Sequence, residues 1–397
     1  MATPPPPDGV NAGAAARPAP PAQRRWRLVL ATLGVLAAAS LLGLTLAEGL
    51  VRVVAPQQLI EVRPDIWAPF DSVGWINRSN VRTSINTGER TVSVFTDEQG
   101  YRVDSGGPPV AQRTVLLVGD SFTQALQVEY RDSFGALLER ELSDSLGNTV
   151  RVLNAGVDGW EPPQYAWRVR RVLAEQTPDA VVVALYLGND LVTSPISQRP
   201  PRDPVRVAPF AFPRSLRPSA ITTALLYPLN DRLERCSHLF VLLKRASDIL
   251  LMRVGLTAVA FPTEILRSSA ASPQWEVTAD IAERISKESA QRGIPVIFAL
   301  ISSSYQADRQ EFERFARGFD IDTAQVALDQ PNQLLGNALR ARQLTVIDPL
   351  PAFRERIDRG EVLFGRADRH FSPMGHRAFA EALRGELLRA LSARRAR

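Results

Sequence analysis

Residues 113–127 read RTVLLVGDSFTQALQ, and the reading of this stretch decides the fold. Residues 114–118 form a short apolar, β-branched run, which predicts a strand buried on both faces, as in a parallel sheet. Gly119-Asp120-Ser121 follows without a spacer, and Phe122, Ala125 and Leu126 then recur at helical spacing. A small turn therefore sets one serine between the end of a core strand and the start of a predicted helix. Its hydroxyl is exposed there, and the orphan N–H groups of a helix start favour negative charge beside it. Taken alone, the triplet is better explained by a Ser or Asp capping a helix. The rest of the chain separates the two readings.

Strand-like runs alternate with helical ones from this point onward. Residues 114–118 precede a helix near 133–146, and 150–153 precede a helix near 164–175. Strands follow at 180–185, 295–301 and 344–347, and a last helix covers 373–391. Strands separated by helices of this length predict βαβ units and a mainly parallel sheet. The expected fold is a three-layer α/β/α domain over 113–397. One interval, 191–273, breaks the rhythm. It carries Pro195, Pro200, Pro201, Pro204, Pro209, Pro213 and Pro218, then an apolar helical part at 239–252. Lys244, Arg245, Asp248 and Arg253 argue against a second membrane span there. A helical insertion at the side of the sheet is expected, the alternative being a cap over a site or a surface touching the bilayer.

Upstream, residues 1–23 hold seven prolines and no periodic apolar face, the composition of a disordered tail. Arg24, Arg25 and Arg27 then precede an uncharged run at 28–47, whose 20 residues match the bilayer core as a helix. A cleaved signal peptide is the competing reading, but its apolar region is shorter, so an uncleaved anchor over 24–50 is expected. Arginines before the run outnumber Arg52 after it, which places the tail in the cytoplasm and the rest across the membrane. Residues 51–112 are polar and turn-rich, with alternation at 92–95, and predict a stalk and a small β extension.

The totals exclude several classes. The net charge of +5 comes from 47 Lys+Arg against 42 Asp+Glu, with arginine spread along the chain, so no nucleic-acid partner is assigned. One cysteine, Cys236, excludes an internal disulfide. His238, His370 and His376 show no metal-ligand spacing, and no Walker or dinucleotide glycine pattern is present, so no metal or cofactor is expected.

Three predicted strand ends finish in small polar residues: Gly119-Asp120-Ser121, Asn154-Ala155-Gly156 and Gly188-Asn189-Asp190. Carboxyl ends of parallel strands share one edge, so these distant groups should converge. Asp368-Arg369-His370 lies just before the final helix. In this order the four segments resemble the blocks of the SGNH (GDSL-type) hydrolase superfamily, over 113 to about 391. The G-x-S-x-G motif of the α/β-hydrolases is absent. The resemblance implies Ser121 as nucleophile, His370 as general base and Asp368 as its orienter. It also implies an oxyanion hole made of the Ser121 and Gly156 backbone N–H groups and the Asn189 amide. The chemistry needs such groups in any case: a serine hydroxyl requires a base, an imidazolium a carboxylate, and a tetrahedral oxyanion its donors.

The late pair departs from the family's Asp-x-x-His, since one residue separates Asp368 from His370. His376 is the rival base, read as structural. Asp120 and Asp190 are read as turn residues, and Trp160, Tyr305 and Gln306 as candidates for a substrate rim. Together with the apolar anchor and the arginine asymmetry, the resemblance implies a membrane-anchored serine esterase facing the periplasm or exterior, acting on an ester-bearing small molecule or acylated glycan. Alternatives are an O-acyltransferase or O-deacetylase on an exported polysaccharide, or a non-catalytic envelope scaffold.

Overall fold

The computed structural model describes residues 21–59, 63–107, 110–191, 227–253, 266, 274–319, 321–366 and 368–395. The start of the tail and the greater part of the 191–273 insertion, including its proline-rich part, lie outside the described residues. Within the chain, Pro21–Val54 forms one unit and residues from Ala55 onward another. The first unit is α1 (Pro21–Val54), 34 residues of continuous helix. Its leucines and valines face outward all round, which no globular core explains. α1 is long and apolar enough to cross a membrane, and a signal sequence would share that property.

In the second unit, β1 (Trp67–Phe70) and β2 (Gly74–Asn77) form a hairpin of their own. β3 (Arg82–Asn86), β4 (Thr91–Thr96) and β5 (Arg102–Val103) lead into β6 (Arg113–Val118), the predicted core strand. After it come α2 (Ser121–Gln124), α3 (Phe134–Leu146), β7 (Val150–Asn154), α4 (Pro162–Glu175) and β8 (Ala180–Tyr186). α5 (Tyr227–Cys236) and α6 (His238–Arg253) belong to the insertion. The chain then runs through α7 (Gln274–Ala290), β9 (Val296–Ile301), α8 (Ser304–Ala307) and α9 (Arg309–Phe319). It closes with α10 (Gln330–Ala341), β10 (Thr345–Ile347), α11 (Leu350–Asp358) and α12 (Pro373–Arg395).

The sheet has eight strands in the order β10-β9-β8-β6-β7-β5-β4-β3. β10, β9, β8, β6 and β7 pair in parallel; β5, β4 and β3 add on antiparallel. The region upstream of Arg113, expected as a small extension packed on the domain, therefore continues the main sheet itself. Its side chains alternate well enough for one buried face, but alternation cannot say which edge a strand joins.

Period-two alternation explains the two cores. On β6, Leu116 and Val118 face one helical layer, while Val115 and Leu117 face the other. The first layer brings Tyr165, Val169 and Val172 of α4 together with Ile285 of α7 and Leu339 of α10. The second brings Phe134, Leu138 and Leu142 of α3 together with Phe379, Leu383 and Leu387 of α12. This is the three-layer α/β/α arrangement. The chain leaves β6 for β7 on one side, then crosses to β8 on the other side. Right-handed crossovers in opposite directions put α3 and α4 on opposite faces and open a crevice at the carboxyl end of β6. Ser121 sits at that end.

Candidate active site

The helix predicted after Ser121 is a single turn. α2 ends at Ala125, which takes a left-handed conformation (φ 58°), and the longer α3 starts only at Phe134 behind its Ser133 cap. Asp120 caps the turn, its Oδ1 accepting from the Phe122 N–H at 3.0 Å. The capping role thus falls to Asp120, and Ser121 is left as the first residue of the turn. Gly119 is required by crowding, because a Cβ there would lie 2.1 Å from Thr123 Oγ1. Beyond the turn, Arg102 is buried and donates to the carbonyls of Gln124 (2.8 Å), Ala125 and Val128 (2.7 Å). Burial pushes its pKa down to about 10, so it keeps its charge and caps the carbonyl end of the turn.

Ser121 Oγ and His370 Nε2, 249 residues apart in sequence, lie 2.7 Å from each other. The imidazole packs on Phe122 with ring centroids 4.6 Å apart, and Phe122 also touches Tyr186 and Phe371. On the far side of the ring, Nδ1 lies 3.2 Å from Asp368 Oδ2. That contact is close enough for charge attraction but outside hydrogen-bonding geometry, and Nδ1 has no better acceptor among the described residues. Asp368 Oδ1 meanwhile accepts the His370 backbone N–H at 3.1 Å. With one intervening residue, the carboxylate and ring converge because Arg369 adopts φ 63°, a left-handed conformation uncommon for a non-glycine residue. Burial opposes charge on His370, but the neighbouring Asp368, with Asp158 and Asp120 beyond it, outweighs this and raises the pKa above 6.5. Burial likewise opposes charge on Asp368, yet its contacts with His370 and Gln127 hold its pKa below the ordinary carboxylate value.

Gly156 comes within reach of the turn: a Cβ on it would lie 2.4 Å from the Gln124 backbone nitrogen. Its N–H, expected as an oxyanion donor, instead donates to Asn154 Oδ1 at 3.1 Å, because the Asn154 side chain folds back over its own strand end. Asn154 Nδ2 donates to Thr123 O at 2.8 Å, so this asparagine joins the β7 end to the α2 turn. The Ser121 N–H is given to no acceptor among the described residues. Asn189 Nδ2 reaches Asp120 Oδ2 at 3.4 Å, which sets the amide beside the residue that precedes Ser121.

Asp120 and Asp190 are both buried. Burial pushes Asp120 up to about 7 against the pull of His370. Asp190 is driven well above the usual carboxylate range by burial and by Asp120. It accepts from Tyr165 Oη (3.0 and 3.1 Å) and from the Tyr186 N–H (2.8 Å), fixing the turn that carries Asn189. His376 is buried; burial pushes its pKa down to about 3, and Nδ1 accepts the Phe134 N–H at 3.3 Å. It is a neutral core residue bonded to the start of α3.

Two rim candidates move into the core. Trp160 is fully buried and donates to Trp75 O at 2.9 Å. Gln306 is buried too, holding Ser303 N, Leu328 O and Asn332. Tyr305 stacks loosely on Phe315 (6.1 Å). Sequence reasoning missed Asn77 and Gln124. Gln124 Nε2 donates to Asn77 Oδ1 (2.8 Å) and its Oε1 accepts from Asp158 N (2.9 Å), while Asn77 Nδ2 donates to Gly156 O (2.9 Å). Neither carries a local signal, since each is defined by partners dozens of residues away. Among the described residues, no cluster of three or more His, Cys, Asp or Glu is placed to hold a metal.

No family model matches the chain. Over 80 residues it is 39% identical to the esterase TesA of Pseudomonas aeruginosa, a stretch covering 20% of this chain and 39% of that relative. The chain resembles the SGNH (GDSL-type) hydrolases. It spans about two-fifths of the length of the curated relative it matches. Among solved structures, it is similar to crystalline TesA with TM-score 0.38 and 16% identity, over 70% of this chain and 99% of that one. A member of the lipolytic G-D-S-L family from Veillonella parvula gives 0.36 and 14%, over 68% and 96%. An acetyl xylan esterase variant from Geobacillus stearothermophilus gives 0.37 and 14%, over 71% and 95%.

Proposed function

We propose that this protein is a serine ester hydrolase working through an acyl-serine intermediate, held at a membrane by α1 with its α/β domain outside the cytoplasm. The observation that carries the reading is the 2.7 Å contact between Ser121 Oγ and His370 Nε2 at the crevice of the sheet. In this reading His370 takes the hydroxyl proton as Oγ attacks the ester carbonyl. Asp368 stabilises the imidazolium so formed, and the Ser121 N–H and the Asn189 amide face the developing oxyanion. The tetrahedral species collapses when His370 returns the proton to the leaving alkoxide. Water, deprotonated by the same imidazole, then releases the acid and restores Ser121. The 39% identity with an esterase over 80 residues supports the reaction class.

Turnover of a short-chain aryl ester tests it. Ser121→Ala is expected to lower kcat by about 10³-fold or more, with thermal unfolding unchanged. Turnover retained in that variant rejects the assignment. The topology rests on the arginines that precede the apolar run. A reporter fused after Arg397 is expected to be active only outside the cytoplasm; cytoplasmic activity reverses the orientation.

A further inference from the structure

Asp368 and His370 lie 3.2 Å apart without a well-directed hydrogen bond. Whatever holds the carboxylate therefore decides how well it serves the ring. Asp368 Oδ2, the oxygen nearest the imidazole, accepts from Gln58 Nε2 at 2.5 Å across 310 residues of sequence. Gln58 is buried, and its own position is fixed from several sides. Its backbone bridges to Thr87, and Leu59 N donates to Asn86 O at 2.9 Å, so the segment lies along the end of β3. The preceding Gln57 N–H donates to His238 Nδ1 at 2.7 Å, and Gln58 Oε1 accepts from Arg245 at 3.4 Å, both on α6.

We propose that Gln58 is a positioning residue for the reaction: its amide holds Asp368 Oδ2 against the His370 ring, while Arg245 of α6 fixes the amide's orientation. The inference rests on the serine-esterase reading of Ser121 and His370. An amide suits the task because it donates from one end, accepts from the other and adds no charge beside the carboxylate. Besides Gln127, the acid then has support from outside the four sequence blocks, from the few residues between the apolar helix and the sheet and from the inserted helix. These two parts of the chain gain a catalytic consequence that neither shows alone.

The test uses the full-length protein in detergent with an aryl ester substrate. Gln58→Leu removes both amide ends, and the isosteric Gln58→Glu keeps the packing while replacing the donor. Each is expected to lower kcat by about tenfold or more with KM nearly unchanged. In an Asp368→Ala background the same substitutions should cost less than about twofold, because Gln58 acts only through that carboxylate. An equal loss in both backgrounds marks a merely structural role and overturns the proposal, as does no loss in either. A second readout is independent of activity. The Gln58 side-chain amide proton is expected downfield in ¹H–¹⁵N spectra and should move upfield in Asp368→Ala; an unmoved resonance overturns the proposal. Turnover surviving in Ser121→Ala would instead reject the esterase reading, while the spectra still decide the Gln58 contact.

Discussion

At the scale of single residues, the site turns on which nitrogen carries a proton at working pH. In the proposed reaction His370 must be neutral to accept the Ser121 proton, and its carboxylate neighbours raise its pKa above 6.5. Protonation therefore persists to higher pH than for a free imidazole, and activity rises as pH increases through that raised value. The acid limb of kcat/KM is expected to have its midpoint above 6.5. Asp158→Asn, which removes one of the raising charges without altering Ser121, should move the midpoint down. A limb centred below the ordinary histidine value, or one that moves up in the variant, contradicts the assignment. His376 cannot produce this limb, since burial leaves it neutral down to a pH of about 3.

At the scale of elements, the α2 turn is too short to hold itself. Four residues give it few internal hydrogen bonds, so its geometry is imposed from outside. Asp120 caps its start, Asn154 holds Thr123 O, and the buried Arg102 gathers the carbonyls at its end. Arg102→Met keeps much of the aliphatic packing but leaves the carbonyls of Gln124 and Val128 without their donor, while Ala125 O keeps the Val128 N–H. The expected cost is about 3 kcal/mol of unfolding free energy, each buried unpaired group being worth roughly 1–3 kcal/mol. Urea unfolding measures it, and kcat should fall with it because Ser121 rides on this turn. A change within 0.5 kcal/mol, or full activity, would show that the turn is held by other contacts. The sequence reads well here up to a point. β6 and the polar residues that follow were legible because a doubly buried strand has a simple composition. The short helix was not, since Phe122, Ala125 and Leu126 keep helical spacing across a backbone break at Ala125. Apolar spacing reports which side chains seek the core, not whether the chain stays helical between them.

At the scale of the whole molecule, the sheet does not begin at Arg113. β3, β4 and β5 extend it on the β7 side, and Asn77 and Gln58 tie the upstream segment to the turn and to Asp368. A chain beginning at Ala55 is expected to be soluble and to turn over ester. One beginning at Arg113 loses five strands, three of them from the main sheet, exposes the β7 edge, and is expected to be insoluble or inactive. Comparable activity from both would mean that the upstream strands are accessory. From sequence alone came the alternation of strands and helices, the apolar helix, and the types of residue placed at the strand ends. Those follow from local composition and period, which any window of the chain displays. Tertiary structure alone decided that Gly156 gives its N–H to Asn154, that Trp160 and Gln306 belong to the core, and that Gln58 meets Asp368. Hydrogen bonds between residues 310 apart leave no trace in spacing; they exist only once hydrophobic burial has brought the two segments together.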